Sequence, residues 1–158
     1  MIEVENIAKY HFGRLVLDDI TLEVPKGTNL GLIGPGGAGK TLLLKIISGL
    51  VVPDRGSVTI DGVDVHELSE TELAEFRSDV GMLFQNYALF DFMTVAENIS
   101  FPLRQEGDHT PGEIEERVDE LLEEIGLPGI GHQYPRELSG GMKKRVSFAR
   151  AIIQEPPI

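Results

Sequence analysis

Four glycines and a proline fall within eight residues, Gly34-Pro35-Gly36-Gly37-Ala38-Gly39-Lys40-Thr41. Fixing glycine costs more backbone entropy than fixing any other residue, so such a cluster marks special geometry or close contact. With no side chains in the way, successive backbone N–H groups can turn inward and form an anion-binding concavity. A helix starting near Lys40 adds the positive end of its dipole. Lys40 supplies a mobile cation suited to the β- and γ-phosphates of a nucleotide, and the Thr41 hydroxyl can ligate Mg²⁺. The spacing Gly34-x-x-x-x-Gly39-Lys40-Thr41 is that of a phosphate loop. Its setting agrees, with the short apolar run 28–33 before it and "LLLKIISGL" behind it. The candidate binding residues are Gly34, Pro35, Gly36, Gly37, Ala38, Gly39, Lys40, Thr41 and Leu42. A phosphate loop serves GTPases, nucleotide kinases and transport ATPases alike. The guanine-binding N-K-x-D and the switch D-x-x-G are both absent here, which weighs against a GTPase.

A second stretch, "ELSGGMKKRVSFARAII" (137–153), narrows the choice. Ser139 is a natural N-cap, and Gly140 and Gly141 open a helix whose apolar positions are Val146, Ala149, Ile152 and Ile153. This reads either as a further anion-binding helix end or as an ordinary capped start. Taken with the phosphate loop, the pattern resembles the ATP-binding-cassette (ABC) ATPases. Their signature is L-S-G-G-Q, and this chain has Leu138-Ser139-Gly140-Gly141-Met142. Met142 in place of Gln is similar to the variant in ABC ATPases of the Mla/Mce lipid-trafficking type, as is the stretch "GMLFQNYALFDFMTVAENISFPLR" (81–104). The resemblance runs from about Ile2 to the last residue.

That resemblance carries specific expectations. The fold would be α/β, a P-loop NTPase core with an N-terminal antiparallel β subdomain and an inserted helical subdomain. Residues 1–85 would form the β-rich and P-loop core, 86–145 the helical subdomain with the signature, and 146–158 the return to the core. Gln85 would be the Q-loop residue, contacting Mg²⁺ and water and linking to a membrane subunit, so that Lys40 and Gln85 carry the catalytic roles. Thr41 and Gln85 would hold the metal. Ser139, Gly140 and Gly141 would face ATP held by a second copy in a head-to-tail dimer. An aromatic near the N-terminus would stack on adenine. Tyr10 and Phe12 are candidates, an ungapped comparison puts His11 there, and Tyr10 is preferred.

In the family the next strand ends in an Asp that organises Mg²⁺ and a Glu that acts as general base, and "QEPPI" stops where that strand begins. The chain is therefore expected to be the N-terminal part of such an ATPase. The missing carboxylate predicts weak nucleotide binding with little hydrolysis, and open strand edges predict a tendency to aggregate. The implied function is the ATP-binding subunit of a transporter for lipid or another hydrophobic substrate. It would lie in the cytoplasm, on the inner face of the membrane, through an integral-membrane permease. Phe90, Phe92 and Met93 suit a groove for that subunit's coupling helix, or else are core. The competing readings are a soluble ABC ATPase that remodels nucleoprotein and a nucleotide-binding fragment without catalysis.

Bulk properties bound these readings. The 158 residues carry 26 acidic and 14 basic side chains, a net charge of −12. That balance argues against general nucleic-acid binding, which favours basic faces. No cysteine is present, so disulfides and thiolate metal sites are excluded, and the four histidines show no ligand spacing. No stretch reaches the ~18 apolar residues of a membrane span, and the N-terminus lacks a signal peptide's basic and apolar regions.

The elements that must position these residues are legible in part. "IEVENIAKY" and "LVLDDITLEV" read as strands, and "SVTIDGVDV" as a hairpin turning at Asp61-Gly62. Residues 28–33 and 80–85 read as short buried strands. Ser69 with Glu72 and Thr94 with Glu97 are capping boxes that start helices, the first over 70–77. Thr110, Pro111 and Glu113 start another, with Ile114, Val118, Leu121, Leu122 and Ile125 on its apolar face and Gly126 at its end.

Overall fold

The computed structural model describes all of residues 1–158, which divide into two compact units, Met1–Arg77 and Ser78–Ile158. In the first unit β1 (Ile2–His11) and β2 (Arg14–Val24) form an antiparallel hairpin, closed by the pair His11↔Arg14. The two turn residues, Phe12 and Gly13, both have positive φ, 49° and 75°, the twist that matches flanking strands. β3 (Arg55–Ile60) and β4 (Val63–Asp64) form the second hairpin at Asp61-Gly62, as the sequence predicts. The sheet order is β2-β1-β3-β4. Val4, Ile7, Leu17, Val58 and Ile60 bury one face, and α1 (Lys40–Ile47) fills the core with Leu43 and Ile46. α2 (Glu70–Ser78) starts at the Ser69–Glu72 capping box and packs half-buried Leu73 and Phe76 against this core.

The second unit is helical. α3 (Val95–Glu106), α4 (Pro111–Glu124) and α5 (Gly140–Ile152) pack around Ile99, Leu103, Val118, Leu121, Leu122, Val146 and Ala149. The predicted helix starts are present. Glu97 N–H donates to Thr94 Oγ1 at 3.2 Å and Thr94 N–H to Glu97 Oε2 at 2.7 Å. The Thr110–Glu113 pair repeats the exchange at 3.4 and 2.8 Å. Backbone hydrogen bonds from Thr94 and Thr110 hold the Glu97 and Glu113 carboxyls below their ordinary range. A single turn of 3₁₀-helix at Pro135–Glu137 precedes α5.

Two sequence expectations are corrected. Neither 28–33 nor 80–85 is a strand, and neither is a buried run. Ile33 is 98 % exposed, and Leu30, Leu83 and Phe84 are exposed too. A strand exists only where a neighbour completes its ladder, and 28–33 belongs to no strand pair. Beside the second segment, Gly81 N–H donates to Ile158 O at 2.8 Å and Ile158 N–H to Asp79 O at 3.3 Å.

Two buried polar side chains yield predictions. Asn98 is fully buried on α3. Its Oδ1 accepts from Phe90 N at 2.8 Å, and its Nδ2 lies 2.9–3.1 Å from the carbonyls of Phe90, Met93 and Thr94. Asn98→Leu would strand these loop groups and should cost roughly 2–4 kcal/mol in urea unfolding, several hydrogen bonds at about 1 kcal/mol each. A cost within experimental error would refute this account of the 90–94 loop. In the first unit His66 has a buried Nε2 without a partner. Burial pulls its pKa below the ordinary 6.5, against Asp64 and a hydrogen bond with Ile46, which raise it. A depressed folded pKa gives stability that is complete above 6.5 and lost as pH falls below it. Unfolding midpoints measured from pH 7.5 down should therefore drop more steeply for the wild type than for His66→Phe.

Candidate functional site

The loop from Gly34 to Gly39 enters α1 without a side-chain cap. The N-cap position is Gly39, which has no side chain to offer. The first-turn amides of any α-helix lack intrahelical partners. In α3, α4 and α5 the side chains of Thr94, Thr110 and Ser139 accept from them. At α1 no side chain takes them. Residues 33–38 are all exposed, so that helix start opens to solvent.

Gly39 is required by its surroundings. Its φ is +87°, and a Cβ there would stand 2.6 Å from Leu17 Cδ2 and 3.2 Å from Val16 Cγ1. Strand β2 therefore forms the floor of the loop. Lys40, the first residue of α1, folds back over the loop, and its Nζ donates to Gly34 O at 2.8 Å and Pro35 O at 2.7 Å. These bonds hold the ammonium against the backbone of the loop that leads into the uncapped helix start. Thr41 is exposed one residue further on, and Leu42 is half-buried against the core. The Thr41 hydroxyl, a hard oxygen donor beside the lysine, fits the donor chemistry of Mg²⁺.

The aromatic candidates lie at the same end of the sheet. Tyr10 pairs with Leu15, and Lys9 with Leu17. The strand pairing thus sets Tyr10 across from Leu15, the chain neighbour of Val16 on β2. Tyr10 is half exposed and its N–H donates to Asp54 Oδ2 at 2.6 Å. Phe12 is 97 % exposed, with its ring centroid 4.4 Å from that of His11.

The remaining candidates belong to the second unit. Gln85 is exposed at a turn. Ser139 is the N-cap of α5, its Oγ accepting from Met142 N at 3.3 Å, and Ser139, Gly140 and Gly141 are exposed while Leu138 is buried. The sequence reading missed Val16 and Leu17, the floor of the loop. Their alternation along β2 signals only a strand.

A loop of this build, with the signature residues on a separate helix start, invites comparison with known nucleotide-binding proteins. The ABC transporter family matches residues 17–158. The chain belongs to that family. It is 42 % identical over 156 residues to the spermidine/putrescine import ATP-binding protein PotA of Nitrosospira multiformis, covering 99 % of this chain and 41 % of that protein. It is 43 % identical to the methionine import ATP-binding protein MetN of Desulfitobacterium hafniense, with coverages of 100 % and 47 %. The probable ribonucleotide transport ATP-binding protein mkl of Mycobacterium leprae is also 43 % identical, with coverages of 99 % and 45 %. The chain thus spans less than half the length of these curated relatives. Among solved structures, the ATP-binding cassette MJ0796, captured as a dimer in a post-hydrolysis state with ADP and Pi, superimposes with a TM-score of 0.91. Its sequence identity is 32 %, and the match covers 99 % of this chain and 71 % of that one. The expected class, an α/β ABC ATPase core with an antiparallel β portion and a helical portion, agrees with that match.

The loop geometry separates what the fold needs from what a ligand needs. Gly39→Ala should destabilise the first unit by about 1–2 kcal/mol from the left-handed backbone alone, with the Leu17 contact adding to it. Gly36 has no atom within 4 Å of its Cβ position and carries no left-handed φ. Gly36→Ala should therefore leave the melting temperature unchanged while weakening phosphate binding. Equal melting temperatures for the two variants would contradict this geometry.

Proposed function

We propose that this chain is the nucleotide-binding part of the ATPase subunit of an ABC transporter. Amides between Gly36 and Thr41 wrap the β- and γ-phosphates of ATP, and the Lys40 ammonium neutralises charge on them. Gly34, Pro35, Ala38 and Leu42 shape the loop. Tyr10 stacks on the base. The observation that carries this reading is Lys40 Nζ, held at 2.8 and 2.7 Å by Gly34 O and Pro35 O beside an uncapped helix start. Bound Mg²⁺ would supply charge neutralisation at the phosphates, and Thr41 and Gln85 are the residues that would hold it.

Ser139, Gly140 and Gly141 would meet ATP held by a second copy in a head-to-tail dimer. In support, they are exposed at a helix start, and the similar cassette MJ0796 was solved as a dimer. A closing dimer couples ATP binding and hydrolysis to an integral-membrane permease. The ATPase stays on the cytoplasmic side, in keeping with helices none of which is long and apolar enough to cross a membrane. Phe92, three-quarters exposed, and a cavity of about 870 Å³ lined by Leu103, Ile114 and Val118 in the second unit support a docking face for that permease. The named relatives carry cargoes as unlike as polyamines, methionine and ribonucleotides at nearly equal identity. Assignment of a lipid or other hydrophobic cargo therefore rests on Met142 and the 81–104 stretch.

Calorimetric titration with Mg-ATP tests the site. Lys40→Ala removes a charge-assisted contact of ~1.5–3 kcal/mol, so affinity should fall about tenfold to a hundredfold. Ser139→Ala, at the other helix start, should leave monomer affinity intact. An unchanged affinity for Lys40→Ala would remove the lysine from the site.

A further inference from the structure

The turn just after Gln85 runs against the preferences of its own residues. Tyr87 and Ala88 have φ of 61° and 50°, a region that side chains with a Cβ rarely enter singly and still more rarely in pairs. Such a turn persists only where its surroundings hold it. Tyr87 N–H donates to Phe84 O at 3.1 Å and Ala88 N–H to Asn86 O at 2.6 Å, which closes the turn locally. The rest of the hold comes from α5. Ser147 Oγ donates to Tyr87 O at 2.8 Å, Arg150 Nη2 donates to the same oxygen at 3.0 Å, and Arg150 Nη1 donates to Ala88 O at 2.7 Å.

These donors are placed for geometry rather than for charge. Ser147 and Arg150 are three residues apart and share a helix face. Ser147 is 2 % exposed. The half-buried Arg150 lies 5.9 Å from the centroid of the Phe90 ring and forms no salt bridge within the chain. A guanidinium is desolvated here to serve two carbonyls, and its planar fork reaches both at once as a lysine ammonium does not. At the other end of the same helix, a Cβ at Gly140 would stand 3.4 Å from the Tyr87 hydroxyl. The segment that follows Gln85 is thus held by the last turns of α5 and lies close to its first turn.

We infer that Ser147 and Arg150 are positioning residues. They lock the Tyr87–Ala88 turn in its left-handed form, and so fix Gln85 relative to the Ser139–Gly141 start of α5. The link to nucleotide rests on the reading of Gln85 and Ser139 given above. The clamp itself does not.

Two measurements on the chain decide this separately. Hydrogen exchange should be about tenfold faster at amides 84–90 in Arg150→Lys, which keeps the charge and loses the fork, with core amides such as Ile99 and Leu121 unchanged. Should that variant unfold, Ser147→Ala, which keeps the guanidinium, should give the same pattern with a smaller increase. Unchanged exchange at 84–90 would overturn the clamp. The second measurement is ATP affinity by calorimetry, with Mg²⁺ and with chelator, for Gln85→Ala, Arg150→Lys and the double variant. The Mg²⁺-dependent gain should shrink by the same factor in all three, while metal-free affinity stays constant. A loss in Gln85→Ala that Arg150→Lys does not share would overturn the positioning role. No loss in Gln85→Ala would refute the metal-linked reading of Gln85, leaving the clamp to be decided by exchange alone.

Discussion

The candidate site depends on the start of α1 remaining uncapped by any side chain. An N-cap side chain normally satisfies one of the free amides, and glycine in its place costs roughly a few tenths of a kcal/mol. At α1 glycine occupies that position, in a left-handed backbone and directly over Leu17. The helix gives up local stability and gains a set of open donors. Stability must then come from elsewhere, and Leu43 and Ile46 supply it by burial against the sheet. Sequence, backbone conformation and packing all leave this helix start open, a geometry suited to an anionic partner.

Features decided within a few residues were legible in the sequence. The capping boxes at Thr94 and Thr110, the Asp61-Gly62 turn and the start of α1 all formed where the residue types placed them, because each is a local exchange of hydrogen bonds or a local φ preference. Strand identity was less legible. Residues 28–33 and 80–85 have the apolar content of buried strands, but pairing is a property of two segments, and neither of them joins the sheet. The Arg150 clamp was invisible for the same reason. Its partners are 62 and 63 residues away, and nothing in "FARAII" distinguishes a guanidinium that holds a turn from one on a solvated face.

The positive-φ residues show a division of labour. Gly13 and Gly62 sit in hairpin turns, and their neighbours Phe12 and Asp61 share the left-handed twist. Those turns are held by strand pairing on both sides. The Tyr87–Ala88 turn has no flanking ladder, so side chains from a distant helix take over that function. Asn98 does the same for the loop that follows, bonding residues 90 to 94 from within α3. From Tyr87 to Thr94 the backbone is irregular but determined.

The acidity of the chain conflicts with a site for a polyphosphate until the charges are placed. A net charge of −12 produces a repulsive field, but salt limits its reach to about 10 Å at 0.1 M, so the groups nearest the phosphates decide. Three helices carry acids in the first turn: Glu70 and Glu72 in α2, Glu97 in α3 and Glu113 in α4. There the carboxylates complement the helix dipole. Only α1 and α5 carry none. These are the two helix starts assigned to phosphate. An acid at either would take the place the anion needs, so its absence follows from the same electrostatics that favours acids at the other three.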